Sequence, residues 1–123
     1  MSDLQVRIEK CGAQADIAVV RVSGALDTLA AYAFQDQMHA LLQTGVYKYI
    51  LDFEEVEYIS SAGIGVFPGM ALELQQHHGR LVFVRVSAKI GKLFDMIGLT
   101  SIFEIKETLA KALEEFAQES ETL

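Results

Sequence analysis

Two adjacent serines, Ser60 and Ser61, are the residues of this sequence best placed to do chemistry. They stand in the stretch YISSAGIGV, directly before an apolar pattern that predicts a helix. A serine at such a position can be the helix N-cap, where its hydroxyl accepts a hydrogen bond from a backbone N–H two or three residues further on. It can also accept a phosphate, which the free N–H groups and the positive end of the helix dipole would stabilise. The residues alone leave both roles open.

Four carboxylates precede the serines: Asp52, Glu54, Glu55 and Glu57. A run of acidic residues is typical of a solvated loop, and we expect such a loop here. Beside a helix start that accepts anions, the same carboxylates could instead help to hold Mg²⁺ for a visiting kinase.

The sequence lacks the patterns of the common catalytic and cofactor sites. A nucleophile elbow requires glycine where Ile59 stands, and the glycines of GIGVFPG fit neither a dinucleotide-binding loop nor a P-loop. The neighbouring His77 and His78 point about 100° apart on a helix, so they cannot chelate one metal ion. Their position near a helix C-terminus suits a capping role instead. We therefore predict no catalytic residue, no metal site and no cofactor.

The composition favours a cytoplasmic protein that binds neither nucleic acid nor membrane. The chain has 123 residues, of which 51% are apolar, enough for one domain with a hydrophobic core. Its net charge of −7, with lysines and arginines scattered, does not suit a nucleic acid or an acidic bilayer. The sequence has no hydrophobic signal segment, Pro68 interrupts its longest apolar run, and Cys11 is its only cysteine, which excludes an intrachain disulfide.

Hydrophobic periodicity predicts the element order β-β-α-β-α-β-α-β-α. The polar segment KCGAQAD between the first two strands favours an N-terminal antiparallel hairpin. The later alternation of strands and helices predicts an α/β fold, with a mostly parallel central sheet of about five strands covered by about four helices. Ser87 can cap the third helix, and Gly98 can end it. We expect a single domain over residues 1–123, with its core at about 4–116 and a frayed tail at 117–123.

The predicted sheet also indicates what surrounds the two serines. In an open α/β sheet, binding sites form outside the carboxyl ends of the strands. That edge would contain residues 23–28, residues 54–61 and Ser87. Ser60 and Ser61 would therefore share an edge with Asp27.

Several segments together resemble the STAS-domain anti-sigma factor antagonists of bacteria. They are VSGALDT, ILDFEEVEYISSAGIGV and GRLVFVRVSAKIGKLFDMIGLTSIFEI, and the similarity extends from about Leu4 to Phe116. The resemblance implies a partner switch, in which the unphosphorylated antagonist binds an anti-sigma factor and thereby frees a sigma factor. The anti-sigma factor is often an ATP-dependent serine kinase that phosphorylates the antagonist at the start of its second helix and so blocks binding. A serine phosphatase reverses the modification.

The same resemblance implies roles for individual residues. The family motif is Asp-Ser-Ser/Thr-Gly-Leu-Gly, with the modified serine directly after the aspartate. Matching its Gly-Leu-Gly to Gly63-Ile64-Gly65 places the phosphorylated serine at Ser61. Ser60 stands where the family has aspartate, and it is the alternative phosphorylation site. The implied partner-binding residues are Asp27, Thr28, Ser60, Ser61, Ala62, Gly63 and Ile64.

The chain departs from the family pattern at two further positions. Ala62 has no hydroxyl where some members have Ser or Thr, and Pro68 should remove one backbone hydrogen bond from the second helix and kink it. Two alternative functions stay open. One is a STAS subunit of a transport or other signalling assembly that binds a protein without serine cycling. The other is a small-molecule or nucleotide binder.

Overall fold

A central five-stranded sheet organises the chain, of which the computed structural model describes residues 3–122. The strands are β1 (Gln5–Cys11), β2 (Ile17–Leu26), β3 (Lys48–Ile59), β4 (Arg80–Val84) and β5 (Glu104–Lys106). They lie side by side in chain order, β1 pairing with β2 antiparallel and all later neighbours pairing parallel. The predicted N-terminal hairpin and mostly parallel sheet are confirmed.

Helices cover both faces of this sheet. Within the described residues they are α1 (Thr28–Gln43), α2 (Ser61–Gln76), α3 (Ala88–Met96) and α4 (Leu109–Thr122). The apolar stripes of α1, α2 and α3 pack on one face, where they form the larger core. Helix α4 packs on the opposite face, and its Phe116 belongs to a smaller core. The predicted α/β fold is therefore confirmed.

The ring of Phe83, on β4, lies at the centre of the larger core. Its centroid is between 5.0 and 5.4 Å from those of Phe53, Phe67, Phe94 and Phe103. The rings are tilted or edge-to-face, which is the favoured geometry of aromatic pairs. Because Phe67 belongs to α2 and Phe94 to α3, this cluster holds both helices against the sheet. It thereby helps to fix where α2 begins.

The predicted ends of α3 are confirmed. Gly98 follows this helix in the left-handed conformation, with φ of 78°, which glycine adopts without steric cost; Gly45 follows α1 in the same conformation, with φ of 89°. The Ser87 hydroxyl caps α3 by accepting a hydrogen bond from the Ile90 N–H at 3.2 Å. Helix α2 continues through Pro68, so the proline does not end it, and a kink there stays a prediction.

Strand β3 is longer than the sequence predicts. Its second half continues to Ile59 by pairing with Ser23–Leu26 of β2, with register shifts on either side of Ser23–Gly24. The predicted acidic loop is therefore wrong, because all of its carboxylates belong to this strand.

A short 3-10 helix, Leu99–Ser101, precedes the last strand, so β5 begins only at Glu104. Helix α4 runs to Thr122, through most of the segment 117–123. Residue 123 lies outside the described residues, and fraying of that segment stays a prediction.

Candidate functional site

The starts of α1 and α2 lie side by side at the carboxyl edge of the sheet. The last residues of β2 and β3, Leu26 and Ile59, are paired in the parallel register. The Ser60 N–H then donates to the Leu26 carbonyl at 2.9 Å, which ties the two strand ends together. Asp27 and Ser60 are thus the residues after paired strand ends, and we call the edge formed by residues 27–29 and 60–64 the rim.

Asp27 is the N-cap of α1. Its backbone is extended, and its Oδ1 accepts a hydrogen bond from the Ala30 N–H at 2.9 Å. The next residue, Thr28, is the first of the helix and is exposed. The carboxylate of Asp27 is therefore partly committed to the helix start, while the Thr28 side chain is accessible from solvent.

Ser60 is the N-cap of α2. Its backbone is extended, with φ −86° and ψ 171°, and its hydroxyl accepts a hydrogen bond from the Gly63 N–H at 3.1 Å. Only 8% of the residue is exposed. The hydroxyl of Ser60 is thus both buried and occupied by capping.

Ser61 differs from its neighbour in both respects. It is the first residue of α2 and is exposed. Its hydroxyl has no hydrogen-bond partner among the side chains of residues 3–118 or the backbone of residues 3–122. The sequence left open which serine caps the helix and which has an accessible hydroxyl. In the structure Ser60 is the cap, and Ser61 has the accessible hydroxyl.

Gly63 lies where the start of α2 comes close to β2. A Cβ atom placed on Gly63 would lie 2.7 Å from the Leu26 carbonyl oxygen, a distance that real side chains do not occupy. Gly63 is buried, whereas the neighbouring Ala62 and Ile64 are half-buried and pack against the larger core. These three residues therefore pack the start of α2 against the rest of the domain. Thr28 and Ser61 form the more accessible part of the rim.

Of the four acidic residues of β3, Asp52 is the one that is buried instead of solvated. Asp52 is only 3% exposed, and it lies between two arginines of neighbouring strands. Arg21 on β2 donates from Nη1 to Asp52 Oδ2 at 3.0 Å, and Arg85, just after β4, donates from Nε to Oδ1 at 3.1 Å and from Nη2 to Oδ2. The hydrogen bond with Asp52 raises the pKa of the Arg85 guanidinium. Asp52 is therefore part of a structural ion-pair network.

This network was missed in the sequence, although a signal for it exists. Arg21 and Arg85 each interrupt an otherwise apolar run, in IAVVRV and LVFVRV. A cation beside buried strands requires an anionic partner, and Asp52 occupies the equivalent place in YILDF. In the part of the chain that the structure describes, no group of three His, Cys, Asp or Glu residues is arranged to hold a metal ion.

The two histidines at the end of α2 differ in backbone conformation. His77 is the C-cap residue, and its ring stacks on that of Tyr47 with centroids 4.2 Å apart. His78 follows in the left-handed conformation with φ 56°.

Of the described helices, none is long and apolar enough to cross a membrane.

The mixed sheet with three helices on one face is the fold of a known domain family. The STAS domain family model matches residues 12–112, and the chain belongs to that family. A curated relative, the anti-sigma-B factor antagonist of Staphylococcus epidermidis, is 30% identical over 92 residues, which are 75% of this chain and 85% of the relative. The family resemblance noted in the sequence is thereby confirmed.

Solved structures agree with this family. An anti-sigma factor antagonist from Mycobacterium paratuberculosis superposes with a TM-score of 0.81 at 22% identity, covering 92% of this chain and 93% of its own. The Bacillus cell fate determinant SpoIIAA in its phosphorylated form superposes with a TM-score of 0.71 at 25% identity, covering 91% and 99%. The names of these relatives describe regulators rather than enzymes.

Proposed function

We propose that this chain is an anti-sigma factor antagonist that works by a phosphorylation-controlled partner switch. The unphosphorylated form binds an anti-sigma factor and frees a sigma factor, and a phosphate on Ser61 blocks that binding. The observation that supports this most is the division between the two serines. Capping of α2 occupies the buried hydroxyl of Ser60, so the exposed hydroxyl of Ser61 can be modified without loss of the cap.

The residues proposed to bind the partner differ in exposure. Thr28 and Ser61 are exposed and contact the partner directly. The others shape the two helix starts from within: Asp27, Ser60, Ala62, Gly63 and Ile64. Ser60 remains the alternative phosphorylation site, but its hydroxyl would first have to leave its bond with the Gly63 N–H.

A phosphate on Ser61 acts on the surface and leaves the core unchanged. It adds roughly −1.5 to −2 charges and three strongly hydrated oxygens at the first residue of α2. The N-terminal N–H groups and the helix dipole stabilise these charges, so the helix is not disrupted. A partner that fits closely against Ser61 meets added bulk, the cost of desolvating the phosphate, and repulsion from any acidic group of its own.

The proposed partners follow from this cycle. An ATP-dependent serine kinase, which is also the anti-sigma factor, adds the phosphate, and a serine phosphatase removes it. The antagonist needs no cofactor of its own, because ATP binds the kinase. We place this cycle in the bacterial cytoplasm and assign residues 1–123 to a single domain.

The test compares Ser61→Asp with the wild-type chain in titration calorimetry against the serine-kinase anti-sigma factor of the same genome. We expect Ser61→Asp to bind about 100-fold more weakly, which corresponds to ~2.7 kcal/mol. Ser61→Ala should bind like the wild type but accept no phosphate when kinase and ATP are added, as measured by intact mass.

The matched control is Ser101→Asp, which adds the same charge to an exposed serine of the 3-10 helix, outside the rim. It should bind like the wild type. Equal affinity of Ser61→Asp and the wild type would contradict the switch. If phosphate appears on Ser60 instead, the switch stands and the modified residue changes; if neither serine is ever phosphorylated, a constitutive interaction module explains the chain better.

A further inference from the structure

The charges of this chain are unevenly distributed along the sequence. Between Arg21 and Arg80, Lys48 is the only Lys or Arg. The same segment contains seven acidic residues: Asp27, Asp36, Asp52, Glu54, Glu55, Glu57 and Glu73. Asp52 and Glu54 pair with arginines, and Lys48 pairs with Asp16 of the β1–β2 turn. Helices α1 and α2 therefore contain acidic residues but no cation.

These acidic residues are not neutralised within the chain. Asp27 and Asp36, on the α1 side, and Glu73 on α2 have no ion-pair partner among the side chains of residues 3–118. Of the three helices on this face of the sheet, only α3 contains lysines, Lys89 and Lys92. Of the three carboxylates, Asp36 is exposed and Asp27 and Glu73 are half-buried. Helices α1 and α2 thus present uncompensated negative charge, chiefly at Asp36, and a basic surface is the complementary partner.

The first turns of α1 also expose large apolar side chains. Leu29 is 82% exposed and Tyr32 is 61% exposed. Residues three and four apart on a helix are neighbours, so Leu29, Tyr32 and Asp36 lie along one outward face. Leu29 belongs to the rim, because it follows Thr28 at the helix start beside Ser61. Tyrosine at an interface provides both apolar contact area and a hydrogen-bonding hydroxyl.

We propose that Leu29 and Tyr32 anchor the partner and extend the docking surface from the rim along α1. The occupant is the anti-sigma factor, and the part that docks here is an apolar recess bordered by Lys or Arg residues that face Asp36. This inference rests on the proposed function, because the same partner contacts Ser61. It adds a surface that phosphorylation does not alter, so α1 determines which anti-sigma factor binds and Ser61 determines when.

Leu29→Gln and Tyr32→Gln test the apolar part of this surface. Because both side chains are exposed, we expect the melting temperatures of the variants to differ little from that of the wild type. In the unphosphorylated state, each variant should bind the serine-kinase anti-sigma factor about tenfold more weakly than the wild type does. Met96→Gln is the matched control, because Met96 is 74% exposed and lies at the end of α3, outside both the rim and α1. It should bind like the wild type.

Asp36→Lys tests the charge. It should weaken binding about tenfold and flatten the loss of affinity with rising salt, since charge pairs across an interface are screened by ions. Glu114→Lys makes the same charge change on α4, on the opposite face of the sheet, and should leave affinity and salt dependence unchanged.

The outcomes separate this inference from the proposed function. If Ser61→Asp loses binding while Leu29→Gln and Tyr32→Gln bind like the wild type, the α1 surface is wrong and the switch stands. Stronger binding of Asp36→Lys would exclude a basic partner surface. If the kinase does not bind the wild-type chain at all, both proposals fail.

Discussion

Strand β3 contributes to two regions that use polar side chains in opposite ways. Midway along the strand, Asp52 is buried and bound by Arg21 and Arg85, residues 31 and 33 positions away in the sequence. Just past its carboxyl end, the Ser60 hydroxyl bonds only to a backbone N–H three residues on, and the Ser61 hydroxyl bonds to no described side chain or backbone group. The side chains of the first region connect three segments of the sheet, whereas those of the second make only local contacts. A modification at Ser61 can therefore change the surface without reaching the core, and a change at Asp52 cannot.

The largest expected effect is that of Asp52→Asn on stability. The substitution keeps the shape of the side chain but removes the charge that balances two guanidinium groups. Breaking a buried ion pair in this way costs about 3–5 kcal/mol. We expect the free energy of unfolding, measured by urea denaturation, to fall by that amount. The fraction of the variant that is folded should bind the kinase with the same affinity as the wild type.

Glu54→Gln is the control for this prediction. Glu54 also pairs with Arg85, at 3.1 Å, but its side chain is 54% exposed. Exposed ion pairs contribute about 0–1 kcal/mol, so the variant should be almost as stable as the wild type. If Asp52→Asn and Glu54→Gln lost the same small amount, burial would not distinguish the two carboxylates and the contrast within β3 would be lost.

Much of the fold could be predicted because its signals are local. The apolar runs of β2 and β4, the stripe of Phe34 and Met38 on α1, and the cap at Ser87 each follow from neighbouring residues. The second half of β3 could not be predicted in this way. Between Phe53 and Ile59 only Val56 is buried, so the segment looks like a polar loop until its pairing with β2 is known.

At the candidate site, too, long-range pairing decides a detail that the local sequence leaves open, namely which of two adjacent serines caps α2. The sequence predicts a helix start at Ser60–Ser61, but either serine can be the cap. The choice depends on which backbone is extended and which is helical, and this follows from the hydrogen bond between the Ser60 N–H and the Leu26 carbonyl. Asp52 and its arginines were missed because their contacts are long-range. Their signal, one charged residue in each of three apolar runs, is visible only when the three runs are compared.

An intermediate effect on stability is expected from two glycines of the same helix. Gly63→Ala places a methyl group 2.7 Å from the Leu26 carbonyl oxygen, and we expect it to cost about 1–3 kcal/mol because the backbone must shift. Gly65→Ala meets no atom within 4 Å and should instead stabilise the helix by about 0.5–1 kcal/mol. Thermal unfolding of both variants checks the opposite signs; a shared sign would mean that α2 does not approach β2 at Gly63 as described.

The smallest effect separates the two serines. Ser60→Ala removes the cap of α2 and should lower the free energy of unfolding by about 1 kcal/mol, because the Gly63 N–H loses its partner. Ser61→Ala removes an exposed hydroxyl and should change stability by less than about 0.5 kcal/mol. For phosphorylation the order should reverse, since Ser60→Ala keeps the exposed acceptor and Ser61→Ala lacks it. Stability by urea denaturation and phosphate incorporation by intact mass would thus rank the same two variants in opposite orders. A variant pair that ranked the same way in both measurements would place capping and modification on one serine, and the surface could then not be modified independently of the helix start.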